Sequence, residues 1–416
     1  MNAHHLLDIF FLLFIAWLFG ALFVRMGLPI FLGQLLAGIM LGPMVLDAVT
    51  LTHSIELLAE WGIFFVMFHT GMEMNPKELQ EHFWPSMSVA LGGFLLPFGL
   101  GFLVAKLFGG TLYQSLFMGM GISITAIAVQ AAILQEMRIL KSEIGHVIIG
   151  AALADDILAL ITLSVLLGLA RTGEIALLEL SIIMAKTVLF FGAVILVGHF
   201  IMPRITRRLT DTGSKSFMFA ITTAVLLAYL AELAGLHMII GAFLAGQFVR
   251  KEVVDERIHE RLNHTFYSVS YGFLVPIFFA SLAFHLHLSW NLHFLLFNVV
   301  VIGAAVAGKL VGCGAGAAAF GYNLRENAVI GFGMNGRGAV ELVVASVILN
   351  LSDTLLSQNV IDAPLLTPDQ FSALVSMAFV TTLMAPIFLK RMVGKACGEG
   401  EWASFCELWE KEEKAL

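Results

Sequence analysis

Charge is what this chain has least of: only 13% of its 416 residues are Asp, Glu, Lys or Arg, and 59% are apolar. A soluble domain carries about 25% charged residues, so an ordinary water-soluble fold is excluded. The apolar stretches are long and continuous rather than alternating over about ten residues, which excludes a membrane β-barrel as well. Cysteine is scarcer still. Cys313, Cys397 and Cys406 show neither CxxC nor metal-ligand spacing, so no disulfide framework, zinc site or other cofactor is expected. No GxGxxG motif follows the last apolar run, so no nucleotide-binding regulatory domain is expected, and no nucleic-acid partner is expected either. The first residues, Met1 to His5, lack the Lys and Arg of a secretory signal, and no small-x-small cleavage site follows, so the first apolar run is expected to stay as a helix.

Apolar runs fill the chain instead. A window of about 19 residues predicts an all-α polytopic protein with thirteen membrane helices near 6–24, 28–46, 55–72, 86–107, 111–134, 146–170, 180–202, 216–234, 236–249, 266–284, 292–318, 326–350 and 367–389. The ninth is short enough to be half-inserted. Of the 23 Lys and Arg, 18 follow odd-numbered spans, Lys106 and Arg171 end even-numbered ones, and Lys186, Lys309 and Arg337 lie inside spans. The positive-inside rule then places the N-terminus outside and the C-terminus in the cytoplasm of a cell (inner) membrane.

The sequence Gly27-Leu28-x4-Gly33-x2-Leu36-Ala37-Gly38 recurs as Gly235-Leu236-x4-Gly241-x2-Leu244-Ala245-Gly246, 208 residues or seven spans later. Seven is odd, so the second copy enters from the opposite side, the mark of an inverted-topology repeat. Repeats are expected over about 1–175 and 213–395 with a linker helix near 180–202, all within one transporter unit, 1–395, followed by a short acidic tail, 396–416. The same offset links Gly119-Met120-Gly121-Ile122-Ser123-Ile124-Thr125-Ala126 of the fifth span to Gly331-Phe332-Gly333-Met334-Asn335-Gly336-Arg337-Gly338 of the twelfth. Gly weakens a helix by roughly 1 kcal/mol against Ala, and matched Gly-rich interruptions in two halves point to two discontinuous helices crossing at the midplane.

Asp155 and Asp156 lie in the middle of the sixth span. Each intramembrane Asp costs roughly 2.5–3.5 kcal/mol on insertion scales, so a partner, water or a bound cation must offset the pair. Neighbours on a helix point about 100° apart, so the two have different surroundings. Lys309, the one basic residue of the eleventh span, is the candidate partner. Burial disfavours the charged form of each, and a pair of this kind can carry protons. A carboxylate that takes either a proton or a desolvated cation makes the two compete. Ser123, Thr125 and Asn335 at the breaks are candidate cation-coordinating residues, supplying hard oxygen ligands for a monovalent cation at Asp156. Arg337 and Glu341, one turn apart, are expected to pair in support of the second break.

These residues resemble the monovalent cation:proton antiporters of the second class, which include bacterial sodium/proton antiporters and the membrane parts of Kef-type potassium efflux systems. The resemblance covers nearly the whole chain. It rests on Ser123-Ile124-Thr125-Ala126-Ile127-Ala128, Ala154-Asp155-Asp156, Lys309, Met334-Asn335-Gly336-Arg337-Gly338-Ala339-Val340-Glu341-Leu342 and Phe68-His69-Thr70-Gly71-Met72-Glu73-Met74. It implies that Asp156 is the cation and proton site, that Asp155 pairs with Lys309, and that the breaks form the crossing, with Glu73 supporting. Kef-type domains usually carry Gln before the Asp; Asp155 stands there, which favours Na⁺ (or Li⁺) and electrogenic exchange over K⁺. A core, about 86–170 and 292–389, is implied to move against a dimerisation part, making a homodimer. A K⁺/H⁺ antiporter, a cation channel lined by the same carboxylates and a transporter-derived sensor stay open as alternatives; an intramembrane aspartyl protease does not, because its carboxyls must come from separate helices. His285, His287 and His293 fall in an outside loop with interfacial or pH-sensing roles open.

Overall fold

The computed structural model describes residues 3–26, 30–172, 177–206, 214–250, 253–284, 291–337 and 361–398, with short pieces between 344 and 358. The described residues are helical and contain no strand. In chain order the helices are α1 (Ala3–Arg25), α2 (Ile30–Leu41), α3 (His53–Glu73), α4 (Pro76–Glu81), α5 (Phe83–Leu107), α6 (Leu112–Ser123), α7 (Ile127–Glu136), α8 (Glu143–Thr172), α9 (Leu177–Leu196), α10 (Met202–Thr206), α11 (Ser214–Leu233), α12 (Met238–Gly246), α13 (Glu256–Val269), α14 (Val275–Ala283), α15 (Leu292–Ala318), α16 (Leu324–Gly333) and α17 (Pro368–Gly398). Among the described residues nine helical segments are long and apolar enough to cross a membrane, and Ile30–Leu41, Met184–Leu196 and Met238–Val249 are shorter apolar helices. The predicted twelfth span lies partly outside the described residues. Two spans are composite: α6 and α7 form one with a break, and α13 continues into α14 through a π-helical turn, Ser270–Leu274.

The chain forms two compact units, the first from residues 1–76 and 160–285, the second from 77–159 and 286–416. In the first, small residues let backbones touch. A Cβ at Gly33 would strike the backbone of Phe19 and Gly20, and one at Gly241 would strike Leu227 and Ala228. Phe19 and Leu227 are themselves 208 residues apart, so the α1–α2 and α11–α12 approaches use one register. Gly38 meets the backbone of Ala280, and Gly246 meets that of Phe68 and Gly71. Here Gly is required because any side chain would separate the helices.

In the second unit α5 runs along α15, with Gly92 against Gly312 and Gly316 against Ser88. The helices bearing the predicted breaks start on matched caps. Thr111 and Gln114 satisfy each other's backbone N–H at the start of α6, and Asn323 and Glu326 do the same for α16. Such boxes satisfy donors that a helix N-terminus would otherwise leave open, and they fix where both half-helices begin.

Candidate functional site

Helix α6 stops at Ser123 because Ile124 (φ −61°, ψ 143°) and Ala126 (φ −99°, ψ 99°) are extended; α7 resumes at Ile127. Helix α16 stops at Gly333, and Asn335, Gly336 and Arg337 follow without helical structure. The two helix ends, Ser123 and Gly333, are 210 residues apart, so the second break falls two residues beyond the position that the 208-residue offset predicts. An α-helix that ends leaves four carbonyls without partners, and one that starts leaves four N–H groups. At this crossing each break supplies what the other lacks. The Arg337 guanidinium donates through Nη1 to the carbonyls of Ile124 (2.6 Å) and Gly121 (3.2 Å) at the C-terminal end of α6, where the helix dipole also favours a cation. In return, the carbonyl of Gly336 accepts from the Ala126 N–H at 3.3 Å and from Gln130 Nε2 at 3.1 Å, both at the start of α7.

Thr382 of α17 fixes the second break from outside. Its hydroxyl donates to the Arg337 carbonyl (2.7 Å) and accepts from the Arg337 N–H (3.0 Å). Neither Gln130 nor Thr382 stands out in the sequence, since an uncharged polar residue in an apolar run is compatible with ordinary packing. The capping boxes, by contrast, have a readable spacing of three residues.

Beside the crossing α8 and α15 bring Asp155, Asp156 and Lys309 into the interior. Lys309 and Asp155 are 0% exposed, Arg337 1% and Asp156 5%. Lys309 Nζ lies 3.4 Å from Asp155 Oδ2 and also donates to the Thr125 hydroxyl in the first break. Lysine, aspartate and the unwound segment are therefore one connected group. Ser123 turns inward on its own helix, donating to the Met120 carbonyl at 2.8 Å, which leaves its oxygen able to accept. Among the described residues, neither carboxylate oxygen of Asp156, nor Asp155 Oδ1, nor either amide atom of Asn335 has a hydrogen-bond partner, although all are shielded from solvent. Leaving a buried polar group unsatisfied costs roughly 1–3 kcal/mol, more if it is charged. A carboxylate in that position is stabilised by a proton or by a desolvated cation.

Glu73 lies in the other unit, where its Oε1 accepts from Asn263 Nδ2 (2.5 Å), while Asn263 Oδ1 sits 2.6 Å from His69 Nε2. These contacts tie α3 to α13. Glu341, expected beside Arg337, lies outside the described residues, as do His285, His287 and the segment 399–416; His293 is exposed at the start of α15, with its ring centroid 5.6 Å from that of Phe108.

A family model described as sodium/hydrogen exchanger, transmembrane, matches residues 10–395. The Na(+)/H(+)-K(+) antiporter GerN of Bacillus cereus is 31% identical over 377 residues, covering 90% of this chain and 92% of that protein. The Na(+)/H(+) antiporter of Enterococcus hirae is 26% identical, covering 89% of this chain and 93% of its own length. Among solved structures, the sodium proton antiporter MjNhaP1 from Methanocaldococcus jannaschii superposes with a TM-score of 0.66 at 17% identity, over 97% of this chain and 99% of that one. The likeness to MjNhaP1 speaks for the fold.

Proposed function

Since the chain belongs to the sodium/hydrogen exchanger family, we propose that Asp156 is the carrier group of a sodium/proton antiport cycle. The protein is a secondary transporter that exchanges sodium for protons across a membrane. The observation that carries the residue assignment is the Asp156 carboxylate, buried and with neither oxygen hydrogen-bonded among the described residues. In water-poor surroundings it takes a proton or a desolvated Na⁺ but not both, and that competition couples the two fluxes. Thr125, Ser123 and Asn335 supply further oxygens as the cation enters. Asp155 and Lys309 form the second proton-carrying group, so that two protons move against one cation and each turnover carries net charge. Arg337 is a positioning residue that holds the end of α6.

The repeated registers at Phe19–Gly33 and Leu227–Gly241 and the matched capping boxes support an inverted repeat, the plan on which alternating access is built. In the cycle the part bearing the two breaks moves against the remainder, which holds two copies together as a dimer. The charge distribution supports an N-terminus outside the cell membrane and a cytoplasmic C-terminus. Cys introduced at Arg257 is then labelled only from the cytoplasm and Cys at His293 only from outside; labelling of both from one side refutes this topology.

Purified protein in liposomes with an imposed pH gradient, offered Na⁺, Li⁺ and K⁺ separately, tests the reading. Proton flux driven by Na⁺ or Li⁺ is expected. The name of the Bacillus cereus relative includes potassium, which motivates the K⁺ arm. Channel-like currents without coupled proton flux, or no flux with any of the three, overturn antiport.

A further inference from the structure

We infer a second proton-binding site, distinct from the carboxylates of the transport site, at the pair formed by His146, in the first turn of α8, and Glu78 of α4. The His146 ring is 2% exposed, and both of its nitrogens face acceptors. Nδ1 lies 2.8 Å from the Ser142 carbonyl, and Nε2 lies 3.0 Å from Glu78 Oε2 of α4. A carbonyl oxygen only accepts, so Nδ1 carries a hydrogen and donates it. A neutral ring then has only a lone pair at Nε2, and a lone pair facing an ionised carboxylate at 3.0 Å repels it. The observed contact requires one more proton between Nε2 and Oε2, whichever of the two atoms holds it covalently.

Glu78 is 45% exposed on its side chain, so this proton exchanges with the solution at that end of the bundle, the end that the Lys and Arg distribution assigns to the cytoplasm. Among the described residues His82, at the start of α5, faces the pair, with its ring centroid 6.3 Å from that of His146, and Glu143 opens the same helix three residues before His146. Glu143 Oε1 accepts from the Tyr322 hydroxyl at 2.7 Å. Burial, and then the bond to Glu143, push the Tyr322 phenol above its ordinary range, so Tyr322 keeps its hydrogen throughout the working pH range and does not titrate with the pair. Glu326 lines a cleft of about 280 Å³ together with His82, Glu143 and Tyr322, and is bound to the N-cap of α16.

The pair consequently acts as a latch read by protons. With the shared proton in place α4 is tied to the helix that bears Asp155 and Asp156; without it, the same two groups push apart. Glu78→Gln separates the two states, because an amide can donate to a neutral ring and accept from a charged one and so keeps the contact at any pH. We expect full-length Glu78→Gln protein in detergent to melt at the wild-type temperature near pH 6 and at a higher temperature near pH 9, with the difference growing across the range in which histidine titrates. His146→Gln, which cannot share a proton with Glu78, should remove the part of the wild-type pH dependence that the pair contributes. Sodium-driven exchange of Glu78→Gln in liposomes should stay within about threefold of wild type at its optimum, since Asp156 is intact, with its pH profile displaced by about one unit, a tenfold change in proton activity. A Glu78→Gln protein that tracks the wild-type melting temperature across the whole pH range overturns the latch while leaving the transport reading untouched. Loss of exchange in the wild type itself would overturn that reading instead.

Discussion

In the first unit α3 and α12 approach through Gly71 and Gly246, backbone against backbone, with Gln247 Nε2 donating to the Gly71 and Met74 carbonyls at 2.7 and 3.1 Å. In the second unit the two broken helices also approach at glycine, at Gly336, but the groups buried there are Asp155, Asp156, Lys309 and Arg337. Among the described residues the first crossing buries no charged side chain: Gln247 bonds backbone carbonyls, the helices stay whole, and close contact yields dispersion energy at little conformational cost. The second opens its helices and then satisfies part of the freed backbone with charge, leaving a carboxylate without a hydrogen-bond partner among the described residues. Tight packing makes a rigid body, whereas incomplete satisfaction makes a binding site.

The comparison fails if the two crossings respond alike to substitution. Asp156→Asn should abolish cation-dependent proton flux, by at least about two orders of magnitude, because the amide keeps the shape but cannot trade a proton for a cation. The protein should still insert, purify and melt no lower than wild type, since an unpaired buried charge is removed. Retained exchange would remove Asp156 from the cycle.

Gly246→Val should do the reverse. Its Cβ meets the Phe68 carbonyl and the Gly71 backbone, neither of which can turn aside, and overpacking of this kind costs typically 1–3 kcal/mol. Yield and melting temperature should fall, while protein that folds keeps its preference among Na⁺, Li⁺ and K⁺. An unchanged melting temperature would show that the crossing is looser than the backbone contact implies.

Lys309→Gln sharpens the comparison from within the charged crossing. The substitution removes the cation from Asp155 and from the Thr125 hydroxyl, so the second proton no longer has its coupled pair. If net charge crosses in each wild-type cycle, the membrane potential contributes about 2.3 kcal/mol per elementary charge per 100 mV. Wild-type exchange should therefore respond to a potential of about −100 mV set by K⁺ diffusion, in a preparation where K⁺ is not transported, and Lys309→Gln should lose activity or lose that response. Indifference of the wild type to potential would sink the two-proton account.

The smallest effect is expected at Gln130→Leu. It deletes one of the two donors to the Gly336 carbonyl, worth about 1 kcal/mol net. A modest loss of melting temperature and a rate lowered by several-fold should follow; no change in either would mean that the Ala126 N–H and Thr382 hold the second break without Gln130.

Much of this site is visible in the sequence for a simple energetic reason. Charges inside long apolar runs are costly, so Asp155, Asp156 and Lys309 stand out without any structure, and helix-weakening residues in matched positions expose the two breaks. Arg337 stands out in the same way, but its role does not. One-turn spacing on a continuous helix pairs it with Glu341, which lies outside the described residues, whereas the contacts that Arg337 makes from its unwound segment to Gly121 and Ile124 lie more than 200 positions earlier. Once the backbone leaves the helix, the rule relating sequence spacing to spatial neighbours no longer applies.

Apolar run length, the energetic cost of intramembrane charge and the 208-residue recurrence are properties of composition and order, and they suffice for an all-helical membrane transporter with a carboxylate at its centre. Which oxygen is left unpartnered, that Gln130 and Thr382 hold the second break, and that His146 shares a proton with Glu78 depend on groups brought within about 3 Å by packing. Hydrogen bonds weaken steeply beyond that range and with poor alignment, so these relations arise only when the helices have set their final distances and rotations.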